Sequence, residues 1–300
     1  MLLNDFVKEG IAALKNLYSE KESRKMILML CEDIIGTKSY THIVEPQYEI
    51  SDAGCTALYA ALERLKKGEP IQYVTGKADF SGFRFNVTPD VLIPRPETEL
   101  LCREAIKFGS RIQRMRIPYG RNAEPVRALD LCTGSGCIAW TLALSIPGCR
   151  VVGVDISEPA LAVAAGQDFT QKLKETGAVK PEFIKADVLD TGQDFKYSQF
   201  DMILSNPPYI RESEKSEMRS NVLDFEPSQA LFVSDDDPLV FYRAIAAWSR
   251  RFLSPEGAGM TEINETLGPQ TEELFRAEGY THTEIEKDFY DKNRFIVYHK

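Results

Sequence analysis

An α/β chain is predicted here: a doubly wound, mostly parallel sheet with an antiparallel edge strand, preceded by a small all-helical domain and a β-hairpin. Three observations predict it. The first 67 residues carry helical periodicity, residues 69–94 change to alternation, and from Val126 onward short apolar runs alternate with helical segments. The last pattern implies strands that pair in parallel and are covered by helices on both faces.

The elements follow in order. Phe6, Val7, Ile11, Leu14, Leu17 and Tyr18 recur at helical spacing. A second helix holds Met26 to Leu30, Ile34 and Ile35, with Gly36 as its stop. Ser51 reads as an N-cap, Leu58, Ala61, Leu62 and Leu65 as one stripe, and Gly68 as the end. This sets a helical domain over 1–67. Phe83, Phe85 and Val87 alternate after a Ser81-Gly82 turn, giving a hairpin linker over 68–95. The larger domain spans 96–300. It opens on a helix to about Phe108, with Pro96 in the first turn and Glu97 and Glu99 at its positive end. Strands are expected at Val126–Leu131, Arg150–Val154, Glu182–Lys185, Phe200–Leu204, Gly257–Ile263, Thr281–Lys287 and Arg294–His299. Helices are expected at Gly136–Ile146, Glu158–Leu173, Pro238–Leu253 and Leu267–Glu278. The final two strands, joined by a short turn, give the antiparallel edge. Residues 107–127 hold six basic residues against Glu124 alone, with Pro118, Gly120 and Pro125 among them, and read as an exposed connector. Residues 211–237 hold eight acids and three bases and read as a long loop, a lid or a partner surface.

Composition narrows the function. Three hundred residues with 43% hydrophobic content bury a full core. A formal charge of −9 argues against coating a nucleic-acid backbone. No apolar run reaches a membrane span of about 18 residues, and MLLNDFVKEG lacks a signal-peptide profile. A cytoplasmic monomer that binds no membrane and no stable nucleic acid is expected. The six cysteines form no C-x-x-C pair and the three histidines lie far apart, so no metal site is expected.

Three constellations carry chemistry. In Asp130-Leu131-Cys132-Thr133-Gly134-Ser135-Gly136, a strand runs into a glycine-rich turn and then a helix. Gly134 and Gly136 allow close approach of a ligand to the backbone. The acid Asp130 disfavours a pyrophosphate and favours a cationic amine. Asp155 ends the second strand, 21 positions after Gly134, where a carboxylate accepts both hydroxyls of a ribose. After the third strand, Asp187 is placed to accept the amino hydrogens of adenine, and Val188 to pack on its ring. Ser205-Asn206-Pro207-Pro208-Tyr209 follows the fourth strand directly. Two prolines remove two backbone donors and stiffen the chain. The Asn206 oxygen and the Pro207 carbonyl remain as acceptors for a planar –NH2 group, with Tyr209 offering a flat face.

Together these motifs resemble class I S-adenosylmethionine-dependent N-methyltransferases, whose sheet is Rossmann-like. The stretch Phe80-Ser81-Gly82-Phe83 with Val91-Leu92-Ile93-Pro94-Arg95-Pro96-Glu97-Thr98-Glu99 narrows the resemblance to the HemK-type peptide chain release factor glutamine-N5 methyltransferases. The resemblance implies methyl transfer from S-adenosyl-L-methionine to the glutamine of a Gly-Gly-Gln motif in class 1 release factors, and it assigns the docking of that protein substrate to the helical domain over 1–67. It implies a donor site at Cys132, Thr133, Gly134, Ser135, Gly136, Asp155, Val188 and Asn206, to which the reading of the residues adds Asp130 and Asp187. It implies a substrate site at Asn206, Pro207, Pro208 and Tyr209, with Asn206, Pro207 and Tyr209 as the catalytic set. Two residues depart from the family pattern: Cys132 and Asn264 both stand where glycine is usual. Asp224 to Pro227 and Asp291 to Arg294 also resemble family positions.

Three other readings remain on the residues alone. One is methylation of another planar nitrogen, in a ribosomal-protein glutamine or in adenine or guanine of nucleic acid. A second is a nicotinamide-dependent oxidoreductase, suggested by G-x-G-x-x-A, which leaves Asn-Pro-Pro-Tyr unexplained. A third is a non-catalytic module that keeps the fold. An amide nitrogen is a poor nucleophile, and no strong base stands near the motif, so positioning and electrostatics are expected to carry catalysis.

Overall fold

A computed structural model describes residues 1–116, 124–288 and 290–300. The chain forms two compact units, Met1–Lys77 with Met218–Phe225, and Ala78–Glu217 with Glu226–Lys300. The first unit holds α1 (Leu3–Leu14), α2 (Glu20–Ile35), α3 (Thr41–Val44), α4 (Asp52–Lys66) and α5 (Ile71–Thr75). Phe6, Leu14, Ile27, Leu30, Leu58 and Leu65 are wholly buried in its core. Ser19 and Glu22 close a capping box at the start of α2, and Gly36 ends that helix in the left-handed conformation. Ser51 caps α4 by accepting from the Gly54 N–H at 3.2 Å. The compact unit runs ten residues past the boundary of 67 read from the sequence. Arg64 explains this: its guanidinium pairs with Glu69 and donates to the carbonyls of Tyr73 (3.0 Å) and Val74 (3.1 Å), tying α5 to the end of α4. Gly68 stops a helix and not the domain.

The next elements are β1 (Lys77–Phe80), β2 (Phe83–Asn86), α6 (Thr98–Arg116), β3 (Arg127–Leu131), α7 (Cys137–Ser145), β4 (Arg150–Asp155), α8 (Glu158–Ala165), α9 (Thr170–Thr176), β5 (Glu182–Lys185), β6 (Phe200–Ser205) and β7 (Ile210–Arg211). They are followed by α10 (Ser220–Phe225), which belongs to the first unit, then β8 (Phe232–Val233), α11 (Val240–Phe252), β9 (Leu253–Glu262), α12 (Gly268–Ala277), β10 (His282–Lys287) and β11 (Asn293–His299). The central sheet has the order β10-β11-β9-β6-β3-β4-β5. β9, β6, β3, β4 and β5 run parallel, and β11 runs against both β9 and β10. From β3 the chain winds outward through β4 and β5, then returns to lay β6 on the other side of β3. That reversal opens a crevice at the carboxyl ends of β3, β4 and β6. One core packs Trp140, Leu101 and Phe85 on one sheet face, and the other packs Trp248, Ile245 and Phe275 on the opposite face.

Three segments differ from expectation. The helix expected over 158–173 is two helices, because the break between α8 and α9 puts Gln167 to use. Its amide accepts from the Asn86 N–H (2.8 Å) and donates to the carbonyls of Asn86 (2.9 Å) and Ser135 (3.2 Å), joining the hairpin to the glycine loop. The first part of the basic stretch, residues 107–116, is the end of α6, which carries Lys107, Arg111, Arg114 and Arg116, and Arg116 pairs with Asp201 at 2.6 Å. Pro118, Gly120 and Arg121 of that stretch lie outside the described residues. The segment 211–237 is built of short elements, with β7 and β8 paired in parallel.

Candidate active site

The register of the sheet brings three motifs side by side. Leu131 pairs with Val154 on one side and Ser205 on the other, so Cys132, Asp155 and Asn206 leave adjacent strand ends. After β3 the chain turns tightly. Cys132 (φ +60°), Gly134 (φ +52°) and Gly136 (φ +78°) are left-handed, and Thr133 N–H donates to the Val154 carbonyl at 2.9 Å. Side chains alternate along a strand, so Asp130 shares the Ala128 face, under α7 and away from the crevice. It is fully buried, and its Oδ2 accepts from Thr133 Oγ1 (2.6 Å) and the Ala139 N–H (3.2 Å). Burial pushes its carboxyl up to about 7, against the opposing pull of those two hydrogen bonds. Asp130 therefore ties the loop to the helix and does not line the crevice as the sequence reading had it. Gly136, expected to touch the ligand, instead starts α7 packed close to Ala164 and Phe183.

Asp155 stands at the tip of β4. Its Oδ2 accepts from the Gly134 N–H and its Oδ1 from the Ser157 N–H, each at 2.9 Å. Burial raises its pKa, and the N–H groups of Ser157, Gly134 and Ile156 oppose that rise. A carboxylate accepts about four hydrogen bonds, so acceptor capacity remains for a ligand hydroxyl. Beyond β5, Asp187 folds back on the Leu189 N–H at 2.9 Å, and Trp248 Nε1 holds the Val188 carbonyl at 2.9 Å.

Beyond β6 the side chains form a chain of hydrogen bonds. Asn206 Nδ2 donates to Thr98 Oγ1 at 3.2 Å, and Thr98 Oγ1 donates to Glu262 Oε2 at 2.7 Å. The other oxygen of Glu262 accepts from Tyr209 OH at 2.9 Å. Glu262 is 1% exposed; burial raises its pKa, and Thr98 and Tyr209 work against that rise. Tyr209 is pushed well above the phenol range by burial and by the Glu262 charge. The ring expected to offer a flat face is thus committed to Glu262 and does not line the cavity, and Pro207 is buried behind it. Asn264 donates to the Tyr209 carbonyl (3.2 Å) and to Glu214 Oε2 (3.0 Å), closing the far end of the motif.

A cavity of about 210 Å³ opens at these strand ends. Cys132, Thr133, Gly134, Ser135, Asp155, Asp187, Val188, Asn206 and Pro208 line it, nine of the thirteen residues named from the sequence; Asp130, Gly136, Pro207 and Tyr209 lie outside it. Thr98, Leu92 and Arg95, which have no site role in the sequence reading, are also among the lining residues. Arg95 pairs with the buried Glu226 at 2.6 Å, and Glu226 also accepts from the Ile93 N–H at 3.1 Å. The one signal for these in the sequence is the Pro-Arg-Pro-Glu-Thr-Glu run, read there as a helix start. With Arg95 paired to Glu226, the carboxylates Asp90, Asp155 and Asp187 set the charge of the wall, beside the apolar Val188, Ile156 and Leu92. Carboxylates and apolar plates fit a cationic nucleoside: acceptors for hydroxyl and amino hydrogens, a flat slot, and a negative field. No group of three or more His, Cys, Asp or Glu among the described residues is arranged to hold a metal.

A doubly wound sheet with a glycine loop, an acidic second strand end and Asn-Pro-Pro-Tyr at adjacent positions defines a Rossmann-like methyltransferase. Residues 99–225 match the family model "Methyltransferase small domain" and residues 5–76 the model "PrmC N-terminal domain". The chain is 36% identical to the release factor glutamine methyltransferase of Flavobacterium psychrophilum over 296 residues, 99% of this chain and 98% of the relative. It is also 36% identical to that of Bacteroides thetaiotaomicron, over 95% of each chain. A solved release factor-specific protein-(glutamine-N5) methyltransferase from Alicyclobacillus acidocaldarius is 29% identical, with a TM-score of 0.39 over 71% of this chain and 98% of that one. The chain belongs to the release factor glutamine methyltransferase family. It is an enzyme, and its methyltransferase domain implies a methyl donor of the S-adenosylmethionine type.

Proposed function

We propose that this enzyme methylates the side-chain amide N5 of the glutamine in the Gly-Gly-Gln motif of class 1 release factors, with S-adenosyl-L-methionine as donor. The observation that carries the reading is the Asn206 carboxamide. Its nitrogen is committed to Thr98, so its oxygen is the edge left for a ligand, in a cavity flanked by Asp155 and Asp187. When bound, the donor supplies a methyl group on a positively charged sulfur. Asp155 would hold the ribose hydroxyls, Asp187 the adenine amino group, and Val188 the face of the ring. Cys132 to Ser135 would lie along the donor's chain.

Asn206 Oδ1 would accept an amide hydrogen of the glutamine, with Pro208 beside it on the cavity wall. Gripping the amide in this way withdraws it from water, fixes its plane, and leaves more electron density on nitrogen. Positioning of this kind is the main source of rate here, since no His or Lys among the described residues lines the cavity. Nitrogen gains the methyl carbon and loses one proton, which leaves to water; sulfur keeps the bonding pair. The helical unit would dock the release factor. No helix among the described residues is long and apolar enough to cross a membrane, and the reading is of a monomer acting in the cytoplasm.

The test is incubation with S-adenosyl-L-methionine and a class 1 release factor, followed by peptide mass spectrometry. One added methyl on the Gly-Gly-Gln glutamine is expected. Methyl transfer to bulk RNA or DNA with none to the release factor would overturn it.

A further inference from the structure

We propose that Thr98 and Glu262 are positioning residues that set the flip of the Asn206 carboxamide, so that its oxygen and not its nitrogen faces the substrate amide. The inference rests on the glutamine reading above and deepens it.

A carboxamide has two edges of nearly equal shape and opposite chemistry. An acceptor amide presents two N–H hydrogens. The oxygen edge of Asn206 grips them, whereas the nitrogen edge would set donor against donor. Sterics do not choose between the edges; hydrogen-bond partners do. Thr98 has one hydroxyl proton, and it points at Glu262 Oε2, 2.7 Å away. Toward Asn206 the threonine oxygen is therefore only an acceptor, and it receives Nδ2 at 3.2 Å. Ionised Glu262 has no proton to give, so the direction of the whole chain is fixed by its charge. Tyr209 holds the second carboxylate oxygen at 2.9 Å and keeps the group from rotating away. Arg294, itself paired with Asp288 at 2.7 Å, adds an attractive charge that favours the ionised form.

The chain has a second consequence. A carboxylate that accepts from Thr98 makes the threonine oxygen a better acceptor, which in turn draws on the Asn206 N–H. Polarisation passes along such chains, and it deposits negative charge on Asn206 Oδ1, the atom that must grip the substrate. Glu262 and Thr98 lie 164 residues apart in sequence, yet both buried groups act on one atom.

The experiment compares Thr98→Val, Thr98→Ser and Glu262→Gln in the full-length enzyme, with a class 1 release factor as substrate. Valine keeps the shape of threonine and removes the hydroxyl. Thr98→Val is expected to lower kcat by about tenfold or more, the scale of a misaligned reacting group. Donor affinity by calorimetry should stay within about twofold, since Asp155 and Asp187 are untouched. Thr98→Ser should recover most of the lost kcat. Glu262→Gln can donate to Thr98 and so reverse the chain; it should fall with Thr98→Val. Thr98→Cys, a weak donor of similar size, replaces Thr98→Val if the valine variant melts below the assay temperature.

Asn206→Ala separates the two levels. If Asn206→Ala loses turnover while Thr98→Val keeps kcat near the parent, the positioning role is overturned and the glutamine reading stands. If Asn206→Ala itself turns over normally, the glutamine reading falls first. If Thr98→Val loses donor affinity as much as kcat and serine does not recover it, Thr98 is a packing residue and the proposal is wrong.

Discussion

Cys132 and Asn264 both stand where glycine is usual in the resembled family, and they differ in what they cost. Cys132 holds φ +60°, a region where an L-side chain crowds the following carbonyl by about 1–2 kcal/mol. Asn264 is not among the positive-φ residues, so its backbone is unstrained. Its side chain is fully used instead: besides Tyr209 and Glu214, its Oδ1 accepts from the Thr266 N–H at 2.9 Å. The strain at Cys132 is testable. Cys132→Gly relieves it while adding chain entropy of about 0.5–1 kcal/mol to the unfolded state, so stability should hold or rise slightly. Cys132→Val, branched at Cβ, should lose about 1–3 kcal/mol, read from urea midpoints. A valine variant as stable as the parent would remove strain from the account. Asp155 makes a second prediction at this scale. Asp155→Ala should weaken donor binding by about 1.5–3 kcal/mol, the worth of hydrogen bonds to a charged group. Calorimetry with unchanged affinity would take Asp155 out of the donor site.

β9 shows how one element is locked by its neighbour. Gly259 pairs with Tyr298 of β11, and the tyrosine ring lies across the glycine so closely that a Cβ would sit 1.9 Å from it. Tyr298 cannot move aside: it is fully buried, stacks on Phe275 at 4.2 Å, and its hydroxyl shares a hydrogen bond with Ser249 at 2.8 Å. Gly259→Ala must displace that ring and should cost about 3 kcal/mol, the upper range for overpacking, with urea unfolding as the measure. A loss under about 1 kcal/mol, the mean for point substitutions, would mean that the ring has room. The same contact shows where sequence reading stops. The β9 and β11 strands are legible from their apolar periods, but a glycine placed beneath a ring 39 residues on is not. Likewise the strand-end motifs at 130–136, 155 and 206–209 are legible because each is local. The sequence marks Glu262 and Thr98 only as parts of a strand and a helix start, since their meaning lies in a contact between distant strands and helices. Gln167 hid the break between α8 and α9 for the same reason, as its partners are Asn86 and Ser135.

Over the whole molecule, three buried carboxylates, Asp130, Asp155 and Glu262, each have a pKa raised by burial. Their ionisation in the folded state costs stability. Asp130 isolates the effect. Its folded pKa of about 7 lies above the 3.8 of the free side chain, so between those values the folded state binds more protons than the unfolded one. Its contribution to stability is therefore complete below pH 3.8 and is lost as pH rises through about 7. Within that window the loss runs at up to about 1.4 kcal/mol per pH unit. His299, with a lowered pKa, pulls the other way below its ordinary 6.5, so the comparison has to be differential. Asp130→Asn supplies it. Asparagine keeps an oxygen for Thr133 and Ala139, and puts an uncharged amide where Oδ1 has no partner. Parent and variant should match most closely below pH 3.8, where the carboxyl is neutral in both the folded and the unfolded chain. From there to pH 8 the parent should lose thermal stability relative to the variant, with the two curves parallel at higher pH. Curves that stay parallel across pH 5–8 would show that Asp130 does not change its charge in that range, and that the buried carboxyl is held ionised by its two hydrogen bonds.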